Sequence, residues 1–475
     1  MLSNPSFLGP ARRFGGVLVG LLAAGASLAH TSPARACGGC FHEPAPSQTV
    51  PTVITAHRMA FSISTTQTVL WDQIQYSGAP AGFAWVLPVK PGAMIQLSHD
   101  EWLASLDAAT QTVIQSPPSN CAPPVDQDTD NGGGGCGASS ESAASAGFSA
   151  ADAGAEGPSP VTVVSQQVVG PYDAVTVQAS QGEALGAWLH ANGYDVAASE
   201  QPLIDAFTAE GFDFIALKLA PGEGVQAMQP VRVVMPGASL SLPLRMIAAG
   251  AGANVGIELW VLGEGVYQAQ NFPAATVDFS KVLWDPNAEL SNYTTLAASA
   301  LAANGGRGWL TEMAQSVDQL GNSGTPALAQ AYQSSCVPQM LPAMSCDDAG
   351  AGDGGAACPP TLVPCDDLDV AMTGIDPASF TVTRLRANLP ASALTADLVL
   401  GAAASQDPVP NFHVASGYTI PNYNPCGSSG NGASPKSSSA CSTSPRPGTR
   451  YVDALLGLGV ALGIAWGARR RGRKP

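Results

Sequence analysis

Alternation of apolar and polar residues is clearest between residues 52 and 90. The segments "TVITAHRMAFSIS", "QTVLWDQIQYSG" and "GFAWVLPV" repeat with the two-residue period of a β-strand or run apolar throughout. The period lengthens in "SHDEWLASLDAAT", residues 98–110, where Ser98 stands three residues before Glu101. That is capping-box spacing, and it predicts a helix. Strands are expected again over 161–179, then helices near 181–192 and 200–210, then a long strand-rich block over 212–263. Residues 289–303 read as a helix, and "GRGWLTEMAQ" is expected to continue as a second one. A last ordered piece spans 366–415. The elements predict a β-rich α+β fold: antiparallel sheets, a few flanking helices, loops of Gly, Ser and Asp, and one C-terminal hydrophobic helix.

Two stretches break the pattern, 116–160 and 336–365, both dense in Pro, Gly, Ser and Asp. Each contains a bracketing cysteine pair, Cys121/Cys136 and Cys346/Cys358. The economical reading is one exported body, 37–415, with two flexible surface excursions closed at their bases by local disulfides. "GAGANVG", residues 250–256, has the glycines of a dinucleotide-binding turn, but a strand follows where a helix is required, so a hairpin turn is expected there.

The two ends change the picture. Residues 1–36 carry Arg12 and Arg13, then "FGGVLVGLLAAGASLA", then "ARA". A basic region, a short apolar run and an A-x-A site make a secretory signal peptide, cleaved after Ala36 or Ala29. Residues 416–450 read as a flexible tether. Residues 451–468 follow as a membrane-spanning or sorting helix, and the basic tail 469–475 places the terminus in the cytoplasm with the body outside. The expected localisation is the cell envelope or surface, with the membrane as partner through this helix.

Composition narrows the function classes. The chain of 475 residues has a net charge of −16 and only 12% charged residues. Setting aside three Arg in 1–36, and seven Lys/Arg and one Asp in 446–475, leaves 35 acids against 10 bases, a net −25 over residues 37–445. That opposes nucleic-acid binding. Export directs cysteines toward disulfides, and the candidates are Cys37, Cys40, Cys121, Cys136, Cys336, Cys346, Cys358, Cys365 and Cys426. Haem attachment at Cys37 and Cys40 fails because Phe41 precedes His42, and zinc lacks a second spaced ligand pair. No cofactor is expected.

Three segments carry a resemblance. They are "GFAWVLPVKPGA" with "SHDEWLASLDAAT", "FIALKLAPGEGVQAMQPVRVVMPGASLSLPLRM…GIELWVLG", and "NYTTLAASALAANGGRGWLTEMA". Together they resemble the bacterial exported family catalogued as domain of unknown function 2330, over roughly 37–415 apart from the excursions. The resemblance implies an exported, often membrane-anchored protein with no assigned reaction and no catalytic residues to carry over. The layout of cysteine, apolar run and arginine cluster is similar to the myxobacterial sorting tails, which implies Cys441 as a lipid or sorting site.

Candidate chemistry is sparse. Asp126, Asp128 and Asp130 start like an EF-hand loop, but Asn131 and Gly137 stand where glycine and glutamate are required, so they are weak metal candidates. His57, His99, His190 and His413 are isolated in sequence and are read as structural. Trp71, Tyr76, Phe83 and Trp85 read as core aromatics. The leading functional expectation is a non-enzymatic surface or envelope module that binds or builds, with an envelope protein or polysaccharide as partner. The alternatives are a hydrolase of an extracellular polymer using paired carboxylates, and a metal-dependent adhesion protein.

Overall fold

A computed structural model describes residues 53–77, 84–119, 160–194, 196, 200–220, 227–248, 251–320, 327–341 and 361–426. The described residues through 423 belong to one compact unit, and 424–426 fall in a second. Within the first unit an eight-stranded sheet runs in the order 274–275, 309–316, 380–390, 251–264, 53–63, 67–77, 231–236, 94–97. Its pairs are antiparallel except two: 53–63 with 251–264, and 274–275 with 309–316, are parallel. A four-stranded antiparallel sheet runs in the order 84–89, 213–219, 172–179, 161–169. The β-rich α+β expectation holds.

The two sheets pack face to face. Met59, Phe61, Leu70, Leu259 and Leu385 of the large sheet share one core with Trp85, Leu87, Ile215 and Leu217 of the small one. The other face of the large sheet presents Ala60, Trp71, Trp260, Leu262 and Val382 to the helices Asp100–Thr110, Leu328–Ser335 and Asp367–Met372. The other face of the small sheet, with Val86, Phe214 and Ala216, is covered by Gly182–Ala191 and Gln201–Ala209 through Leu189 and Phe207. The result is four layers: helices, large sheet, small sheet, helices. Strands buried on both faces lose their alternation. This explains why Ala84–Val89 is apolar at every position but one and buried along its whole length.

Several expectations are corrected. "GRGWLTEMAQ" is not helical: Trp309–Ser316 is a strand between 274–275 and 380–390. The preceding helix, Tyr293–Gly306, is broken at Ala303–Gly305, where Asn304 and Gly305 take φ of +54° and +69°. A left-handed stop of this kind ends a helix, and burial of Trp309, Met313 and Ala314 in the sheet overrides local propensity. Gly252 and Gly256 do not form a hairpin turn, because Ala251–Glu264 is one continuous strand. Gly256 pairs with Ala56, whose Cβ would lie 3.5 Å from a Cβ at that glycine. The helix at 100–110 exists, but its N-cap is His99 with no side-chain cap, so Ser98 does not close a capping box. Just past residue 415, Gly417 and Tyr418 pair in parallel with Leu283 and Trp284.

Among the described residues no helix is long and apolar enough to cross a membrane. The residues expected to form a signal peptide and a membrane or sorting helix, and Cys441, lie outside the described residues.

Candidate functional site

Period-two alternation sends neighbouring strand residues to opposite faces, and the buried polar groups of this fold are sorted the same way. On the helix-covered face, Arg58, Glu258 and Arg386 lie side by side on adjacent strands, and Arg384 stands one pair along, opposite Trp260. Arg384, 2% exposed, donates from Nε to Glu312 Oε2 at 2.9 Å and from Nη2 to Glu258 Oε1 at 3.1 Å, and pairs with Asp107 at 2.6 Å. Arg386 pairs with the same two glutamates at 2.7 and 2.8 Å, and Arg58 with Glu258 at 3.4 Å. The guanidinium carbons of Arg58 and Arg384 stand 5.5 and 5.3 Å from the Trp260 ring centroid. Burial pushes the Glu258 carboxyl upward, but Arg386, Arg384 and Arg58 outweigh it and hold the group below the usual range. Burial works against the charge on Arg384, and Asp107, Glu258 and Glu312 reverse that effect and raise its pKa. Three cations face three carboxylates, so this network is compensated from within. Its chemistry is structural.

A second cluster forms where the same face meets the helix Asp367–Met372. Asp367, fully buried, accepts from Trp71 Nε1 at 2.7 Å, Ser98 Oγ at 2.9 Å, Tyr332 Oη at 2.7 Å and Arg232 Nη1 at 3.0 Å. Arg232 also donates to Asp366 at 2.6 Å and to Gln96 at 2.7 Å. Burial and the neighbouring Asp367 charge push the Tyr332 hydroxyl strongly upward, so it remains a donor. Beside this hub Cys336 is disulfide-bonded to Cys365, and their flanks pair as the short strands Gln339–Leu341 and Thr361–Val363. His99 lies here too, 1% exposed, with Nε2 3.3 Å from the Val363 carbonyl and Nδ1 without a hydrogen-bond partner.

The third candidate lies between the sheets. His57, 1% exposed, approaches both Asp72 oxygens through Nδ1 at 3.0 and 3.1 Å, and its Nε2 has no partner. The pair borders a small cavity lined by Met59, Leu70, Trp85 and Met246, with room for about one water. An aspartate holding a histidine is the orienting half of an acid–base device. Here the cavity lining is otherwise apolar.

The histidines read as isolated therefore divide. His57 and His99 join buried polar clusters, His190 is exposed in the last turn of its helix, and His413 stacks on Phe279 at 3.7 Å. Burial lowers the pKa of His413. Trp71 and Trp85 are buried, as expected of core aromatics, Trp71 on the large sheet beneath the helices and Trp85 on the small sheet in the core between the sheets; the Tyr76 side chain and Phe83 lie outside the described residues. Of the cysteines, Cys336 and Cys365 bond to each other and Cys426 is also disulfide-bonded. Cys37, Cys40, Cys121, Cys136, Cys346 and Cys358 lie outside the described residues, as do Asp126, Asp128 and Asp130. Sequence reading missed Asp367, Arg232, Arg384, Glu258 and Glu312. The one available signal was charge inside otherwise apolar strands, as in "TVTRLRANL" and "GIELWVL".

Residues 33–325 match the family described as "Uncharacterized protein conserved in bacteria (DUF2330)". No curated protein and no solved structure matches the chain.

Proposed function

The chain belongs to DUF2330, and from that premise we propose that it is an exported, envelope-held module that binds or builds rather than catalyses. The N-terminal signal pattern and the apolar-then-basic C-terminus support export and anchoring. The Cys336–Cys365 disulfide is in keeping with an oxidising compartment. The buried carboxylates Glu258, Glu312 and Asp367 are held by arginines, which favours a structural role for them.

The observation that carries the reading is the strand Val161–Val169, "VTVVSQQVV". It ends the four-stranded sheet and has no charged residue, and residues 162–168 are exposed. Val163, Val164 and Val168 are 45%, 56% and 51% exposed. Edge strands usually carry charge or proline to block pairing, and this one carries neither. An extended segment can add to such an edge by main-chain hydrogen bonds. The occupant it suits is the same strand of a second copy: antiparallel pairing about Ser165 sets Val164 against Gln166 and Val163 against Gln167, with no like charges opposed. A register slip between Val163 and Ser165 against the inner strand limits the regular stretch and makes the association weak.

Sedimentation of the full chain in detergent should reveal concentration-dependent dimers, which Val164→Lys removes while leaving the melting temperature nearly unchanged. A monomer at every concentration would defeat self-pairing. Cell fractionation with surface proteolysis tests the location, and recovery of the body from the cytoplasm would overturn export.

A further inference from the structure

We propose that His99, Cys336 and Cys365 form a two-state centre: a disulfide when oxidised and, when reduced, a Cys2His site for a thiophilic divalent ion, Zn2+. A ring nitrogen of His99 and both sulfurs lie within 4.8 Å of one another. These residues come from three separate parts of the chain, the start of helix Asp100–Thr110, the end of helix Leu328–Ser335 and the approach to helix Asp367–Met372.

The surroundings suit a metal in three ways. First, His99 is 1% exposed and its Nδ1 has no partner, although a buried polar atom is normally satisfied. Second, Nε2–H faces the Val363 carbonyl at 3.3 Å, which leaves the lone pair on Nδ1. Metal-bound histidines are held in the same way, with the second ring nitrogen donating to a carbonyl or carboxylate. Third, the adjoining hub has two carboxylates, Asp366 and Asp367, against one cation, Arg232, so the neighbourhood carries a net negative charge. Two sulfurs and one imidazole are zinc-type donors, and three protein ligands leave a fourth position for water.

The chemistry balances with a dithiol as reductant. Two electrons and two protons pass to Cys336 and Cys365 as their S–S bond breaks, and the dithiol closes to its own disulfide. Zn2+ then displaces both thiol protons to solvent and is held by two thiolates and a neutral imidazole. Cys336 Sγ lies 3.6 Å from the Tyr332 hydroxyl, which donates to Asp367, so the state of the centre is felt at the hub. In both states the centre clasps the ends of the segment between residues 336 and 365.

The test uses the full chain, reduced anaerobically with a phosphine and equilibrated with Zn2+, with Co2+ as a spectroscopic probe. Reduced wild type should retain one more Zn2+ per chain than Cys336→Ser/Cys365→Ser, a difference that removes the contribution of the other cysteines. It should also show thiolate-to-cobalt absorption that the double variant lacks. His99→Gln, which keeps both sulfurs, should weaken Zn2+ binding by at least about 10-fold. Equal zinc content in wild type and double variant would overturn the proposal. So would unchanged zinc affinity in a folded His99→Gln chain, which would make His99 a packing residue only.

Discussion

At Asp367 one carboxylate receives an indole, a serine, a tyrosine and an arginine. Asp367→Ala would strand these donors in a dry site beside Arg232, and loss of one partner from a buried ion pair costs about 3–5 kcal/mol. Chemical denaturation should show a loss of that size. A loss under about 1 kcal/mol would mean that water replaces the carboxylate. Ser98 offers a sharper test, because its position suggests a cap while its hydroxyl serves the hub. A double-mutant cycle should couple Ser98→Ala to Asp367→Asn by about 0.5 kcal/mol or more and leave Ser98 and Glu101 uncoupled. Coupling to Glu101 instead would restore the capping box. Glu258 gives the pH dependence. Its folded pKa is depressed by three arginines, so the stability it contributes is present above the unfolded carboxylate pKa and is lost as pH falls through the folded one. Glu258→Gln should therefore flatten the acid limb of the stability–pH curve. An unchanged limb in equilibrium unfolding would remove Glu258 from that account.

Among the elements, Trp309–Ser316 is where sequence and structure part, and the sign of one substitution tells the two readings apart. Were the helix to continue through 304–316, Gly305→Ala would stabilise the chain by about 0.5–1 kcal/mol. At the observed φ of +69°, with open space around the missing Cβ, it should instead destabilise by about 1–2 kcal/mol. Thermal melts of the two chains decide the sign. Leu, Glu, Met, Ala and Gln in "WLTEMAQ" are good helix formers. The sheet overrules them because Trp309, Met313 and Ala314 all find buried places beside 380–390. The other long elements were readable because their periods agree with their surroundings: the strands at 53–63 and 67–77, and the helices at 182–191 and 201–209, fall within a residue or two of expectation.

For the whole molecule, the family match stops at residue 325, but the fold does not. Phe380–Pro390 lies inside the large sheet, between 251–264 and 309–316, and supplies Arg384 and Arg386 to the buried network. A chain ending at residue 325 would expose the inner edge of both neighbouring strands and leave Glu258 and Glu312 without their main cations. It should give no cooperative unfolding transition by circular dichroism. A cooperative, monomeric product would show that the later segment docks onto a body already folded.

The sequence by itself determined what depends on neighbours along the chain. Strand and helix periods and the acidic composition are local properties, readable because propensity and burial act over a few residues. The charge inside apolar strands was visible too, but not its purpose. Only the tertiary structure decided which distant groups meet: His57 with Asp72 between the sheets, Arg384 with Glu258 and Glu312, Ser98 with Asp367, and His99 with Cys336 and Cys365. The last set joins positions more than 200 residues apart, so no spacing rule for metal ligands reaches it. A buried charge or imidazole must be paired wherever the fold carries it, and strand order, set by the packing of two sheets and two helical layers, chooses the partner.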